Sequence, residues 1–548
     1  MHKLKYILIL LIFSIFIPNA EALDIQYGSL KGYTSSQVLI EYYGIGKKNS
    51  YICSISSFKC STTKKTTIGK SDVPIIKKSL RTEMANAGAN HSALSASGNW
   101  LAYFIPGHEP DNSRTYVIKN VKTNKNYTLT ENLPYWDLVN DQKKIFEFSP
   151  DEKNLLYVDD KNNDLSLYKV NLASLINTNF EGIKIETSAS MIGTFLYLDS
   201  SNIYYVGNTK INPYKWSMYT FNIKTGINKL VASDVSYLDK ITKIGTSLIF
   251  IRLQEKGYGP EIYNTKTKKI GYFKVPNIKT TKIIVNEEYV KVGNQSAVVM
   301  TPLSYDPKKT YPVLIWLHGG PLRQTSLGYH PYHSYGLYDG MLKLLQKNNV
   351  IILKLDYRGS LGFGSDYSEG IKGTVGKGDI DDVVEAVVYA KNQYNVSDVY
   401  LAGNSYGGYM SLKAVVEHPD QFKGVFSING VTDWESLLVK MKNSIFNTYF
   451  NGLPNSNNRN LYDQASILNR ISNLGNQRIE IIQGEADNTI PPWQADLLYG
   501  KLKEANKNVN LTTYKNEDHV FKEKKNIGDV CVRLFGLIGI TNNNECLK

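Results

Sequence analysis

The hydrophobic and polar positions of residues 23–280 follow a strand-and-turn pattern without helical periodicity. A polar turn leads into an apolar strand, and this unit recurs about every 43 to 65 residues, a period typical of repeat architectures. The clearest copies are 95–104 and 148–158, weaker copies are 198–206 and 244–251, and outer hairpins are expected at 51–60, 115–127, 219–226 and 262–269. The pattern predicts an all-β propeller of five to seven blades; an irregular all-β sandwich is the alternative.

The pattern changes near residue 281, where short apolar strands begin to alternate with helical stretches. Such alternation is typical of βαβ units around a mostly parallel sheet. The candidate strands are 283–285, 289–292, 313–317, 350–355, 399–402, 424–428 and 479–482. The 548 residues are also too many for a single core. The sequence therefore predicts two large domains, a propeller over 23–280 and an α/β domain over 281–548.

The segment 403–408, Gly-Asn-Ser-Tyr-Gly-Gly, stands between a predicted strand and a predicted helix. Glycines two residues before and after a serine allow the sharp turn called a nucleophile elbow, which lifts the serine hydroxyl out of the sheet. The same glycine pattern also arises in ordinary turns, but its place after 399–402 and before 409–416 favours the elbow. Ser405 is therefore the candidate nucleophile, and the order of strands around it predicts an α/β-hydrolase.

Two polar residues that follow later strands complete the candidate catalytic set. Asp487 lies just after the strand 479–482, and His519 follows a later alternating segment. In this fold the acid and the histidine follow the serine on such loops. A neutral histidine can accept the serine proton while the aspartate holds its tautomer. Glu485 and Asp518 are the alternative acids, but Asp518 adjoins His519 and neighbouring side chains seldom face each other, so Asp487 is preferred.

The oxyanion hole of this fold uses two backbone N–H groups, one from the residue after the nucleophile and one from the loop after an early strand. The first residue is Tyr406, and the loop is the segment 318–321, His-Gly-Gly-Pro. Glycines let the backbone approach a tetrahedral intermediate closely. Gly320 is therefore the preferred donor and Gly319 the second candidate, whereas His318 is interpreted as structural.

The first 22 residues have the layout of a signal peptide, with a basic start, an apolar stretch from Tyr6 to Pro18, and Ala20 and Ala22 around a cleavage point. We expect cleavage before Leu23 and export to the periplasm or out of the cell. An uncleaved membrane anchor is the alternative, although about a dozen apolar residues are short for a span. No other segment has ~18 consecutive apolar residues, so we expect no stable membrane span after cleavage.

The four cysteines form two local pairs, Cys53 with Cys60 and Cys531 with Cys546. Two disulfides suit an exported protein in an oxidising compartment, and the second would pin the C-terminal tail onto the last helix. Zinc ligation and free thiols are the alternatives, but neither spacing is the CxxC typical of zinc sites. The sequence predicts two disulfides and no metal.

The net charge of +13 is unevenly distributed along the chain. Residues 1–280 hold 35 Lys+Arg and 23 Asp+Glu, whereas residues 281–548 hold 28 and 27. Because the lysines of the first half are scattered singly and in pairs, a solvated surface is favoured over a nucleic-acid interface. We therefore expect no nucleic-acid partner.

The most specific motifs are 318–321, the segment 357–364 (Tyr-Arg-Gly-Ser-Leu-Gly-Phe-Gly), 403–408, Asp487 with Ile490-Pro491, and His519. In this order, after a predicted propeller, they resemble the prolyl oligopeptidase family of serine peptidases, particularly its acylaminoacyl-peptidase and dipeptidyl-peptidase branches. The resemblance covers almost the whole mature chain. It implies that Ser405, Asp487 and His519 form the catalytic triad and that Gly320 and Tyr406 donate to the oxyanion. It also implies that the propeller restricts access to short peptides.

The sequence departs from this family at two positions beside the site. Gln483 stands where the family often has His, and Asp518 stands where Gly commonly precedes the catalytic histidine. Because of these two differences, the sequence does not determine the conformation of the loops that contain Gln483 and Asp518. The dipeptidyl branch also carries a glutamate pair in its propeller that holds a free N-terminus, whereas the adjacent glutamates of this chain, Glu287 and Glu288, lie at the domain boundary. The sequence therefore disfavours the specificity of the dipeptidyl branch for substrates with a free N-terminus.

The sequence thus predicts an exported serine peptidase, either an oligopeptidase or an acylaminoacyl-type exopeptidase, that forms an acyl-enzyme without a metal or organic cofactor. A carboxylesterase with the same triad and a propeller binding protein with an inactive hydrolase domain are the alternatives. Arg358 is a candidate ligand for substrate carbonyl or carboxylate groups, although an arginine that braces the loops of the sheet fits equally well. The sequence leaves open whether the protein forms a homo-oligomer.

Overall fold

The structure is a computed structural model of the chain. It describes residues 26–44, 47–68, 76–89, 91–105, 114–131, 144–159, 165–176, 178–209, 211–254, 257–276, 286–441 and 445–547. The segment interpreted as a signal peptide, residues 1–22, and the strand expected at 283–285 lie outside the described residues. Within the described ranges, no helix combines the length and the apolar character that crossing a membrane requires.

Twenty strands in the described part of residues 26–276 form five antiparallel units of four strands. They are β1 Gln26–Tyr33, β2 Gln37–Gly44, β3 Lys47–Ser54, β4 Cys60–Thr63, β5 His91–Leu94, β6 Trp100–Ile105, β7 Arg114–Asn120, β8 Lys125–Glu131, β9 Phe146–Phe148, β10 Asn154–Asp159, β11 Ser166–Asn171, β12 Ile183–Lys184, β13 Met191–Tyr197, β14 Asn202–Thr209, β15 Asn212–Asn222, β16 Asn228–Ser233, β17 Thr242–Ile244, β18 Ser247–Gln254, β19 Gly257–Asn264 and β20 Lys269–Tyr272. Each unit is a meander of consecutive strands, which is the form of a propeller blade rather than of a two-sheet sandwich. One helix, α1 Lys78–Asn86, precedes the second unit.

The outer hairpins of three units are closed by the same turn. Asn120 Oδ1 accepts hydrogen bonds from the backbone N–H groups two and three residues later, at 3.1 Å each. Asn222 and Asn264 accept the same pair of bonds at 3.0 and 2.9 Å, respectively, for the groups two and three residues later. An asparagine that bonds the backbone in this way initiates a tight turn. The hairpins β7–β8, β15–β16 and β19–β20 therefore share one local cause, which the sequence repeats.

The first and last units are held together. Strand β1 pairs in parallel with β19, although the two strands lie at opposite ends of this region. Val38 and Ile40 of β2 pack in one apolar cluster with Ile249 of β18 and Ile262 of β19. Backbone pairing and apolar burial therefore join the beginning of the described chain to the end of the all-β region.

The C-terminal domain is built on one eight-stranded sheet. Its strands are β21 Glu287–Val292, β22 Gln295–Met300, β23 Tyr311–Leu317, β24 Ile351–Asp356, β25 Val396–Asn404, β26 Gly424–Ile428, β27 Arg478–Gly484 and β28 Val509–Tyr514. Their order is β21-β22-β24-β23-β25-β26-β27-β28, with antiparallel pairing at β21 and β22 and parallel pairing from β24 to β28. Because the carboxyl ends of parallel strands meet at one edge, the loops after β23 to β28 converge there.

Helices cover both faces of this sheet. They are α2 His333–Lys347, α3 Ser365–Glu369, α4 Gly378–Gln393, α5 Tyr406–Glu417, α6 Trp434–Met441, α7 Arg459–Ala465, α8 Trp493–Glu504 and α9 Lys524–Ile538. Val383 of α4 and Leu412 of α5 belong to the core on one face, and Leu342 of α2 and Leu534 of α9 belong to the core on the other. Strands enclosed in this way are apolar on both sides, which is why they appear in the sequence as continuous apolar runs.

Both predicted cysteine pairs form disulfides in the structure. Cys53 and Cys60 are directly opposite each other on β3 and β4. Cys531 of α9 is bonded to Cys546, which lies in the short helical turn Asn544–Leu547. The second bond attaches the C-terminal tail to the last helix, as expected from the sequence, and the pairing leaves none of these four thiols to bind zinc.

Candidate active site

Ser405 lies at the sharp turn between β25 and α5. Its backbone has φ 56° and ψ −121°, a conformation that L-residues rarely adopt. A Cβ added to Gly403 would lie 2.5 Å from the carbonyl carbon of Gly407, and one added to Gly407 would overlap the carbonyl oxygen of Leu317. The two glycines therefore make room for the turn. The Ser405 side chain is left partly exposed at the edge where the loops converge.

Asp487 and His519 meet at the same edge, on the loops after β27 and β28. Asp487 Oδ2 lies 2.7 Å from His519 Nδ1. Asp487 is buried, and its Oδ1 accepts hydrogen bonds from the backbone N–H groups of Thr489 and Ile490, at 2.8 Å each. Because a carboxylate oxygen can only accept, the hydrogen of the His519 ring is assigned to Nδ1, which leaves Nε2 as an acceptor.

The two alternative acids make other contacts. Glu485 Oε1 accepts a hydrogen bond of 2.8 Å from Thr513 Oγ1. Asp518 Oδ1 accepts one of 2.7 Å from the backbone N–H of His519, and this bond holds the pKa of Asp518 below its ordinary value. Asp518 therefore binds the backbone amide of His519 instead of facing its imidazole ring.

Asn429, which the sequence reasoning did not single out, joins the two loops. Its Nδ2 donates to the carbonyl oxygen of His519 at 3.0 Å, and its Oδ1 accepts from the backbone N–H of Gly484 at 2.9 Å. The side chain is fully buried, and its backbone has φ 48°, in the left-handed region that asparagine tolerates better than most residues. A polar residue directly after the buried strand β26 is the sequence signal that could have identified it.

Glu517 and Gln483 stabilise the same two loops through hydrogen bonds to backbone groups. Glu517 is fully buried and accepts hydrogen bonds from the backbone N–H groups of Lys522 and Glu523, at 2.7 and 2.9 Å, at the start of α9. Gln483, one of the two departures from the family pattern, donates from Nε2 to the carbonyl oxygens of Gly484 and Ile490, at 3.0 and 3.1 Å. The glutamine therefore closes the loop that contains Asp487.

The glycine loop after β23 packs directly against the serine. A Cβ added to Gly319 would lie 3.0 Å from Ser405 Cβ, and Gly320 has φ 124°. Tyr406 is the first residue of α5, where backbone N–H groups have no partner within the helix. The N–H groups of Gly320 and Tyr406 thus lie on the two segments that border Ser405, where they could stabilise an anion.

His318 is buried and has polar partners at both ring nitrogens, as expected of a structural residue. Its Nδ1 donates to the Gly319 carbonyl oxygen at 2.8 Å, and its Nε2 lies 3.0 Å from Ser360 Oγ and 3.2 Å from Asp356 Oδ1. Its own carbonyl oxygen accepts from Tyr357 Oη at 2.7 Å. These contacts fix the loop that contains the glycines.

Arg358 forms a bidentate ion pair with Asp382 on α4. Its Nε and Nη2 donate to the two carboxylate oxygens at 2.9 and 2.7 Å, and its backbone N–H donates at 2.8 Å. Hydrogen bonding to Asp382 raises the pKa of Arg358. The guanidinium fork is thus engaged within the domain, which agrees with the bracing interpretation of this arginine.

Tyr406 also has a buried side-chain partner. Its hydroxyl donates to Asp379 Oδ2 at 2.7 Å. Burial raises the pKa of Asp379 to about 7, and the nearby carboxylate of Asp382 adds to this rise. The carboxyl group of Asp379, which accepts this hydrogen bond from Tyr406, therefore titrates near neutral pH.

The fold and this site define an α/β-hydrolase joined to an all-β propeller. The family model of the prolyl oligopeptidase family matches residues 337–537, so the resemblance inferred from the sequence motifs is confirmed. The chain is 26% identical over 237 residues to the acylamino-acid-releasing enzyme of Rattus norvegicus, an alignment that covers 41% of this chain and 31% of that protein. It is 30% identical over 224 residues to a probable dipeptidyl-aminopeptidase B of Sclerotinia sclerotiorum, with coverage of 40% and 23%.

Among solved structures, a puromycin-hydrolyzing peptidase of Mycobacterium tuberculosis superposes with a TM-score of 0.66 at 14% identity, over 92% of this chain and 78% of that one. This likeness confirms the predicted fold class, a propeller followed by an α/β-hydrolase domain. The alignments to the two curated relatives span a third of their length or less.

Proposed function

We propose that this protein is a serine peptidase that hydrolyses short peptides, as an oligopeptidase or an acylaminoacyl-type exopeptidase. The observation that carries the proposal is the 2.7 Å contact between Asp487 Oδ2 and His519 Nδ1 at the edge of the sheet that also carries Ser405 on a strained elbow. These are the acid, base and nucleophile of the serine-hydrolase arrangement. The similarity of residues 337–537 to the prolyl oligopeptidase family supports the peptidase assignment.

In the proposed mechanism, Ser405 Oγ attacks the carbonyl carbon of the scissile amide and its proton passes to His519 Nε2. The negative charge that develops on the carbonyl oxygen is stabilised by the N–H groups of Gly320 and Tyr406. The C–N bond then breaks, and the leaving amine takes the proton from His519. A water molecule attacks the acyl-enzyme with His519 as base, which releases the acid and restores the Ser405 hydroxyl.

A small cavity in the described part of the all-β region supports the choice of short substrates. The first strands of four units line a cavity of about 300 Å³, with residues that include His91, Glu147, Tyr197 and Lys243. A cavity of this size is comparable to small-ligand pockets and is too small to admit a folded domain.

We further propose a propeller over 23–280, a catalytic domain over 281–548, and export after removal of residues 1–22. The two disulfides support export to an oxidising compartment.

The test is to react the mature protein and its Ser405→Ala variant with a fluorophosphonate probe and then to assay both on matched amide and ester substrates. Amides with blocked and with free N-termini distinguish an acylaminoacyl-type enzyme from a dipeptidyl-type enzyme. We expect labelling and amide cleavage by the parent protein alone. Ester cleavage without amide cleavage would identify a carboxylesterase, and absence of labelling in a folded parent protein would favour a binding role.

A further inference from the structure

The hairpin between β14 and β15 extends from the all-β region into the loops of the C-terminal domain. Trp216 Nε1 of this hairpin donates to Gln324 Oε1 at 3.0 Å. Two residues earlier, the Tyr214 hydroxyl donates to the carboxylate of Asp356, and both side chains are buried. The hairpin therefore supplies a polar partner to a residue at the carboxyl end of β24, the edge that carries the candidate active site.

Asp356 is a fully buried carboxylate with donors on both oxygens. Its Oδ1 accepts from the backbone N–H of Thr325 at 2.8 Å and lies 3.2 Å from His318 Nε2. Its Oδ2 accepts from Thr325 Oγ1 at 2.7 Å and from the Tyr214 hydroxyl. A buried carboxylate is tolerated only when such donors satisfy it. Tyr214 is the donor in this set that comes from the other domain.

The His318 ring links Asp356 to the candidate oxyanion donor when both of its nitrogens carry a hydrogen, because the Asp356 carboxylate and the Gly319 carbonyl oxygen can only accept. His318 Nδ1 donates to the Gly319 carbonyl oxygen at 2.8 Å. Gly319 and Gly320 share one peptide unit, which is planar and trans, so the Gly320 N–H points away from the oxygen that His318 holds. The direction of the Gly320 N–H, next to Ser405, therefore depends on the orientation of the His318 ring.

We propose that Tyr214 is a positioning residue for the oxyanion hole: its hydroxyl holds Asp356, Asp356 orients His318, and His318 fixes the peptide that presents the Gly320 N–H. The all-β region thereby contributes to the chemical step as well as to the control of substrate access to the site. This inference rests on the peptidase function proposed above. Burial and the charge of Asp356 raise the pKa of Tyr214 well above its ordinary value, which favours the protonated hydroxyl that donates to Asp356.

The test compares two substitutions that remove one buried hydroxyl each from the same domain interface. Tyr214→Phe removes the donor to Asp356. Tyr27→Phe is the matched control, since the Tyr27 hydroxyl donates across the interface to the backbone carbonyl of His330 rather than to the carboxylate of Asp356. The full mature chain, both variants and Ser405→Ala are assayed for kcat and KM on an aminoacyl or peptidyl amide, and thermal unfolding of each is recorded.

We expect Tyr214→Phe to lower kcat about 10-fold with KM within twofold, a smaller loss than the 10²–10³ seen when an oxyanion donor is removed outright. Tyr27→Phe should keep kcat within twofold. An unchanged kcat in Tyr214→Phe, or an equal loss in both variants, overturns the positioning role, since equal losses would reflect interface stability alone. If the parent protein shows no Ser405-dependent turnover, the proposed function itself has failed, and the positioning role fails with it.

Discussion

Asn429 Nδ2 donates a hydrogen bond of 3.0 Å to the carbonyl oxygen of His519. Its Oδ1 accepts from Gly484 at 2.9 Å, on the loop that continues to Asp487. One buried amide therefore sets the distance between the two loops. Because a hydrogen bond of about 2.7 Å between acid and imidazole tolerates little displacement, this amide controls the geometry of the proposed triad.

We expect Asn429→Ala to lower kcat/KM about 10- to 100-fold and to lower the free energy of unfolding by roughly 1–3 kcal/mol, because two buried backbone groups lose their partner. Amide hydrolysis and urea denaturation measure the two effects. Asn451→Ala is the control, because Asn451 also has a positive φ, of 56°, but is exposed. If both variants retain full activity, Asn429 does not hold the site together.

Arg358→Ala should destabilise the protein without weakening substrate binding. The substitution leaves Asp382 buried without its bidentate partner, and we expect a loss of about 2–3 kcal/mol, reduced from that of a fully buried pair because the Arg358 side chain is 30% exposed. KM should stay within twofold. Arg459→Ala is the control, because that arginine forms exposed ion pairs and should cost less than about 1 kcal/mol. A large rise in KM with unchanged stability would instead show that Arg358 contacts the substrate.

Asp379→Asn should remove a pH dependence of stability. The folded pKa of Asp379 is raised from 3.8 to about 7. The stability that its protonated form contributes is therefore fully present below pH 3.8 and is lost as the pH rises through about 7. Asparagine cannot ionise, so the advantage of the variant over the parent should grow by roughly 2–3 kcal/mol between pH 5 and 8.

Urea denaturation at pH 5, 6.5 and 8 measures this difference. Asp381→Asn is the control, since Asp381 lies on the same helix with an exposed side chain. A difference between Asp379→Asn and the parent protein that does not change with pH would contradict the raised pKa.

The disulfide at the C-terminus should stabilise the catalytic domain. Cys531 and Cys546 are separated by 15 residues, and closing a loop of that length contributes about 3 kcal/mol by restricting the unfolded chain. We expect the double variant Cys531→Ala, Cys546→Ala to lose about that free energy of unfolding. The corresponding double variant of Cys53 and Cys60, whose separation is 7, should lose less. Equal stability of the parent protein with and without a reducing agent would contradict the prediction.

The sequence by itself determined the features that depend on neighbouring residues. Glycines at 403 and 407 predict the elbow because a side chain at either position would collide with backbone. The outer hairpins were predicted from the strand-and-turn pattern, and in three of them the structure shows an asparagine that bonds the backbone two and three residues later. The cysteine pairs were also predicted from short spacing and are bonded. The catalytic roles of Ser405, Asp487 and His519 stay predictions, although the structure brings the last two into contact.

Only the tertiary structure decided which distant side chains meet. Asn429 bonds His519 across 90 residues and Tyr214 bonds Asp356 across 142, and no local pattern specifies such partners. The structure likewise decided that Arg358 faces Asp382 and that β24 lies between β22 and β23 in the sheet. The physical reason is that turn geometry and strand propensity act over a few residues. The partner of a buried polar group is chosen by whichever donor the packed strands and helices bring within hydrogen-bond distance.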